Sequence, residues 1–134
     1  MLVSSKNKHE KIVLGLLSYT YDEEVPSTEV LKQDLTAYQE SQTTQILLYK
    51  PEGADNFIGL IILDKEDGED LPQSTLYLQK YVLLPSFRDE ESAYEMFKAL
   101  KAYYPEAKIL SNMQLSDHLA GWTQRYEKDR LGDE

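Results

Sequence analysis

Chemistry is most concentrated in residues 83–93, Leu-Leu-Pro-Ser-Phe-Arg-Asp-Glu-Glu-Ser-Ala. The preceding residues, 75–84, are dense in Leu, Tyr and Val and predict a strand covered on both faces. Pro85 cannot donate to a ladder, so the strand stops there. Beyond it, Ala93, Phe97, Leu100 and Tyr104 follow one another at steps of four, three and four. That spacing predicts a helix with one buried face, ended by Pro105. A strand that hands its chain to a helix start gathers unpaired N–H groups and partial positive charge, which together can bind an anion. Asp89, Glu90 and Glu91 stand in or beside that first turn. They complement the helix dipole and oppose any outside anion, and Arg88 offsets part of their charge.

Other chemistry is sparse. The chain has no cysteine, which excludes disulfides, thiolate catalysis and zinc–thiolate sites. His9 and His118 are isolated, and the pair Asp117-His118 has no nucleophile spaced to complete a triad. Residues 64–74 carry five carboxylates and superficially resemble a calcium loop. The ligand spacing and closing Glu of an EF-hand are missing, so a solvated hairpin loop is the expectation and no metal site is assigned. The formal net charge of −10 argues against binding to a phosphate backbone and fits an amine-bearing partner weakly. No apolar run approaches a membrane span and no signal-peptide core opens the chain, so a soluble cytoplasmic protein is expected.

The elements that must position residues 83–93 follow from periodicity. With 134 residues, a single domain over 1–134 is expected. Residues 1–5 are a first strand or a frayed end. Residues 7–19 read as a helix with Ile12, Val13, Leu16 and Leu17 inward, and Gly15 weakens it. Residues 21–26 form an acidic loop containing Glu23 and Glu24. Ser27 then caps a second helix to about Glu40, with Leu31, Leu35 and Tyr38 inward. Short strands follow at 46–49 and 57–63, the latter apolar enough for the middle of a sheet. After a brief strand at 108–110, Ser116 is the expected cap of a last helix carrying Leu119, Trp122 and Tyr126, and the tail from Glu127 is expected to fray. This order predicts an α+β (α/β-like) domain on one twisted, mixed but mostly antiparallel sheet with helices on both faces.

Three stretches and the order of elements resemble the GNAT (Gcn5-related N-acetyltransferase) superfamily. They are HEKIVLGLLSY (9–19), NFIGLIIL (56–63) and LLPSFRDEESA (83–93). Within it, the chain is most similar to the RibT family of small acetyltransferase-like proteins associated with riboflavin operons. The third stretch carries the specific motif, Val-x-Pro-x-x-Arg-x-x-Gly-x-Gly/Ala. Leu83 stands at the Val, Pro85 at the Pro, Arg88 at the Arg, Glu91 at the first Gly and Ala93 at the Gly/Ala.

The resemblance implies an acyl-CoA N-acyltransferase fold whose fourth and fifth strands splay into a cleft. It implies acetyl-CoA as cofactor, held by Leu83, Leu84, Arg88, Asp89, Glu90, Glu91, Ser92 and Ala93, with its affinity lowered by the three acids. It also implies a small-molecule or peptide amine as acceptor. Tyr126 matches the family's general acid, although Asn112 is farther from it than the common pattern and Arg130 stands near the place of a Gly. Glu23 and Glu24 lie where this fold admits the acceptor and are the base candidates. A GNAT-fold binding or regulatory module that has lost catalysis is the rival reading, motivated by Asp89, Glu90 and Glu91. Tyr103, Tyr104 and Trp122 are candidates for a homodimer surface.

Overall fold

The computed structural model describes residues 1–21, 24–66 and 75–132. Of the features expected above, Glu23 and the loop at 67–74 lie outside the described residues. Among the described residues, five strands form one sheet in sequential order: β1 (Leu2–Ser4), β2 (Thr44–Tyr49), β3 (Gly59–Lys65), β4 (Thr75–Leu83) and β5 (Lys108–Ser111). The first four pair antiparallel, and β5 joins β4 in parallel. β3 is central, with a strand on each side and helices over both faces. Leu60, Ile61, Ile62 and Leu63 are all 0% exposed, which is why this strand is continuously apolar instead of alternating.

Four α-helices of the described residues cover the sheet: α1 (Glu10–Ser18), α2 (Thr28–Glu40), α3 (Glu90–Tyr103) and α4 (Met113–Gly132). Period-two alternation in the strands divides their side chains between two cores. Ile46, Leu48, Leu60, Ile62 and Val82 pack against Val13, Leu16 and Leu17 of α1 and Leu31 and Leu35 of α2. Leu47, Ile61, Leu63, Leu76 and Leu78 pack on the other face against Phe97 and Leu100 of α3 and Leu119 of α4. Gly59 sits where β3 passes under α3. A Cβ there would lie 2.5 Å from Met96 Sδ and 3.1 Å from Leu83 Cδ2, so a bare backbone allows the close approach.

Ser27 caps α2 as expected, its Oγ accepting from the Val30 N–H at 3.3 Å. The first helix differs from expectation. A 3₁₀ turn at Asn7–His9 precedes α1, and Leu14 is buried while Ile12 is exposed. The apolar stripe is thus rotated from the one read off the sequence. On α3 the buried face is Tyr94, Met96, Phe97 and Leu100, whereas Ala93 and Tyr104 are only half-buried. The last helix begins at Met113, earlier than the expected cap Ser116, because Asn112 caps it instead. It also continues through the tail expected to fray, where Asp129 Oδ2 accepts from the Tyr94 hydroxyl at 2.7 Å. Among the described residues, no helix is long and apolar enough to cross a membrane.

Candidate active site

β5 pairs with only the first half of β4, from Thr75↔Lys108 to Leu78↔Ser111. Asn112 ends the pairing. Its backbone N–H donates to the Leu78 carbonyl at 3.3 Å, and its Nδ2 donates to the Gln79 carbonyl at 3.0 Å. Its Oδ1 accepts from the Leu115 N–H at 3.1 Å, so the same side chain caps α4 and turns the chain away from the sheet. β4 runs on without a strand on that side. The β3–β4 register also slips between Ile62 and Leu63, leaving Gln79 as the extra residue of a bulge, which bends the strand and increases its twist. The Gln79 amide is held by the Asp64 carboxylate, which accepts from Thr44 Oγ1 as well.

The direction of the exposed edge follows from one hydrogen bond. The Leu84 N–H donates to the Ile58 carbonyl at 2.9 Å, on the β3 side. Successive peptide groups alternate between edges, so those of Leu83 and Tyr81 face the gap left by β5. Arg88 reaches back to this edge, its Nε donating to the Leu83 carbonyl at 3.0 Å with the guanidinium 5.5 Å from the Tyr19 ring centroid.

A cavity of about 370 Å³ occupies the gap. Residues 79–83 of β4 form one wall, and Gln114, Leu115, His118 and Trp122 of α4 form another. Tyr19 and Thr20 after α1, and Arg88 and Ala93 at the start of α3, complete it. The Trp122 ring packs on Tyr81 at 4.4 Å between centroids, and His118 stacks on Trp122 at 5.9 Å. The Tyr81 hydroxyl donates to the Ala93 carbonyl, and burial pushes its phenol well above the ordinary tyrosine range. Lys80 and Arg88 are the cations of the lining, and no carboxylate belongs to it among the described residues.

At the start of α3 the acids part ways. Asp89 is the N-cap: Oδ1 accepts from the Ser92 N–H at 2.7 Å and Oδ2 from the Ser92 hydroxyl at 2.9 Å. These hydrogen bonds hold its carboxyl below the usual carboxylate range. Glu91 is drawn across to α4, where Arg125 binds both its oxygens, Oε2 at 2.8 Å. The Arg125 guanidinium lies 3.9 Å from the Tyr94 ring centroid. Glu90 is exposed.

No family model matches the chain. Among curated proteins it is 27% identical over 113 residues to the "uncharacterized N-acetyltransferase in lysA 3'region" of Bacillus methanolicus, covering 84% of this chain and 86% of that one. Among solved structures, a GNAT family acetyltransferase of Staphylococcus aureus matches with a TM-score of 0.62 at 16% identity, covering 83% of each chain. The aminoglycoside N-acetyltransferase AAC(6')-Iy, solved in complex with CoA, matches with a TM-score of 0.63 at 14% identity, covering 94% of this chain and 84% of that one. The chain has the GNAT fold.

On this GNAT fold three of the expected cofactor residues line the cavity and four lie beside it. Leu83, Arg88 and Ala93 line it, and Asp89, Glu90, Glu91 and Ser92 form the cap and first turn of α3 beside it. Leu84 lies on the β3 side, with its N–H engaged by Ile58. The acceptor-side expectations fare differently. Glu24 is exposed and is not part of the lining, and Glu23 is outside the described residues. Tyr126 is not part of the lining either. Its ring stands edge-on to Phe97 at 6.0 Å with the Lys101 ammonium over it at 5.5 Å, which makes it a packing residue two turns beyond His118. Trp122, considered above for a dimer surface, packs against Tyr81 and Phe97 and lines the cavity. Tyr81, His118 and Trp122 carried no functional expectation toward the cavity. The steps of four from Gln114 through His118 to Trp122 would have placed His118 and Trp122 on one helix face, had Asn112 been read as the cap, whereas Tyr81 on β4 meets them only in the fold.

Proposed function

We propose that this protein is an acetyl-CoA-dependent N-acetyltransferase that moves an acetyl group to the amine of a small molecule or peptide. The observation that carries the reading is the parting of β4 and β5 at Asn112, which leaves the Tyr81 and Leu83 peptide groups facing a cavity beside a helix start. The likeness to the uncharacterized N-acetyltransferase of Bacillus methanolicus and to AAC(6')-Iy, which holds CoA, supports it. Kinship with the RibT family rests on the sequence stretches quoted above. The net charge of −10 supports an amine acceptor over a nucleic acid.

The residues present fit the cofactor. An extended amide-bearing arm can pair with the exposed edge at Tyr81 and Leu83 as an added strand. A diphosphate can take the first-turn amides of α3, with Arg88 and Lys80 supplying positive charge. Asp89 already occupies the Ser92 amide and weakens that contact, whereas Glu91 is neutralised by Arg125. When bound, acetyl-CoA supplies an acetyl thioester. The β4 edge orients it, and the apolar faces of Trp122 and Tyr81 exclude water beside it. Titration calorimetry with acetyl-CoA, followed by thiol release across a panel of primary amines, tests this. Saturable binding below about millimolar Kd and release with at least one amine are expected. Absence of heat at millimolar acetyl-CoA contradicts the proposal.

A further inference from the structure

We propose that His118 carries the proton in the transfer reaction, an assignment that rests on the transferase reading above. His118 lies on the face of α4 that walls the cavity, and Asn112 fixes that face against β4 through Gln79. Its ring stacks on Trp122 at 5.9 Å between centroids while remaining exposed.

The other titratable groups facing it are unsuited to the task. Lys80 and Arg88 carry an ammonium and a guanidinium, donors with no acceptor atom, and Arg88 is already tied to the Leu83 carbonyl. The Tyr81 hydroxyl is committed to the Ala93 carbonyl. Tyr19 is a phenol, and Asp117, the preceding residue on α4, is not part of the lining. Among the described residues of the lining, His118 is the imidazole, a ring that can accept a proton at one nitrogen while donating from the other.

The step balances without any other reactant. The acceptor nitrogen attacks the thioester carbonyl carbon and the C–N bond forms. Neutral His118 takes a proton from that nitrogen. The C–S bond breaks, and the imidazolium returns the proton to the departing sulfur, leaving an amide, a free thiol and neutral His118.

The test compares wild type with His118→Gln. Acetyl-CoA affinity is measured by calorimetry, and thiol release is followed between about pH 5 and 8 with the best acceptor of the amine panel, or with water as acceptor. The expected result is unchanged acetyl-CoA affinity, a fall in turnover of about a hundredfold or more, and loss of the acid limb of the pH profile. Wild-type turnover with that limb intact in the variant overturns the assignment and leaves the transferase reading standing. A parallel loss of acetyl-CoA affinity also overturns it, by making His118 a binding residue. A wild type that binds no acetyl-CoA overturns the transferase reading and this assignment together.

Discussion

Asp89 answers with its own carboxylate the amide of Ser92, one of the amides that the proposed function assigns to a diphosphate. Replacing it by Asn keeps a good N-cap and removes the charge. Acetyl-CoA binding to Asp89→Asn should tighten by about three- to tenfold at low salt, and less as salt screens the site. Calorimetry at two ionic strengths reads this, and an affinity unchanged at both would show that the acid does not contest the cofactor. The lowered Asp89 carboxyl also sets a sign. Its contribution to stability is complete above the unfolded carboxylate range and is lost as pH falls through the lowered folded value, so the cap weakens only in acid. Pro85, Arg88 and the Asp89 cap were legible in the sequence because their geometry is local. The neutralisation of Glu91 was not, because Arg125 lies 34 residues away and meets it only after α3 and α4 pack.

At the level of elements, α3 and α4 are clamped together by Glu91–Arg125 and Tyr94–Asp129, with Arg125 lying over the Tyr94 ring between them. Tyr94→Phe removes one hydrogen bond and keeps the stacked ring, so it should destabilise the fold by about 1 kcal/mol in urea unfolding. Burial first, and the Asp129 hydrogen bond second, push the Tyr94 phenol up to about 12. Because the folded value is raised, this stabilisation is present below pH 10, the ordinary tyrosine value, and is lost as pH rises through about 12. The variant should show a shallower stability loss over that window, and an identical alkaline profile would contradict the assignment. The central strand was legible from its unbroken apolar run, and α2 from its Ser27 cap. The start of α4 was misplaced because Ser116 offers the same local cap chemistry as Asn112. Only the tertiary contact of Asn112 with Gln79 selects between them.

At the scale of the whole molecule, the cleft is a consequence of unequal strand lengths and one bulge. β5 is four residues long and β4 nine, so part of β4 must remain without a partner on that side unless the chain returns to cover it. The chain enters α4 instead, and the cavity follows. The sheet class and the helices on both faces were legible from the order of apolar periods. The lining of the cavity was not, because it is assembled from residues after α1, from β4, from the start of α3 and from α4, which are far apart in sequence. The central claim is that the exposed β4 edge and the start of α3 together receive acetyl-CoA. Hydrogen exchange of the wild-type protein, with and without millimolar acetyl-CoA, tests it most directly. Slowed exchange concentrated in residues 79–84 and 88–93 is the predicted result, and binding that protects other segments while leaving these two unchanged would contradict it.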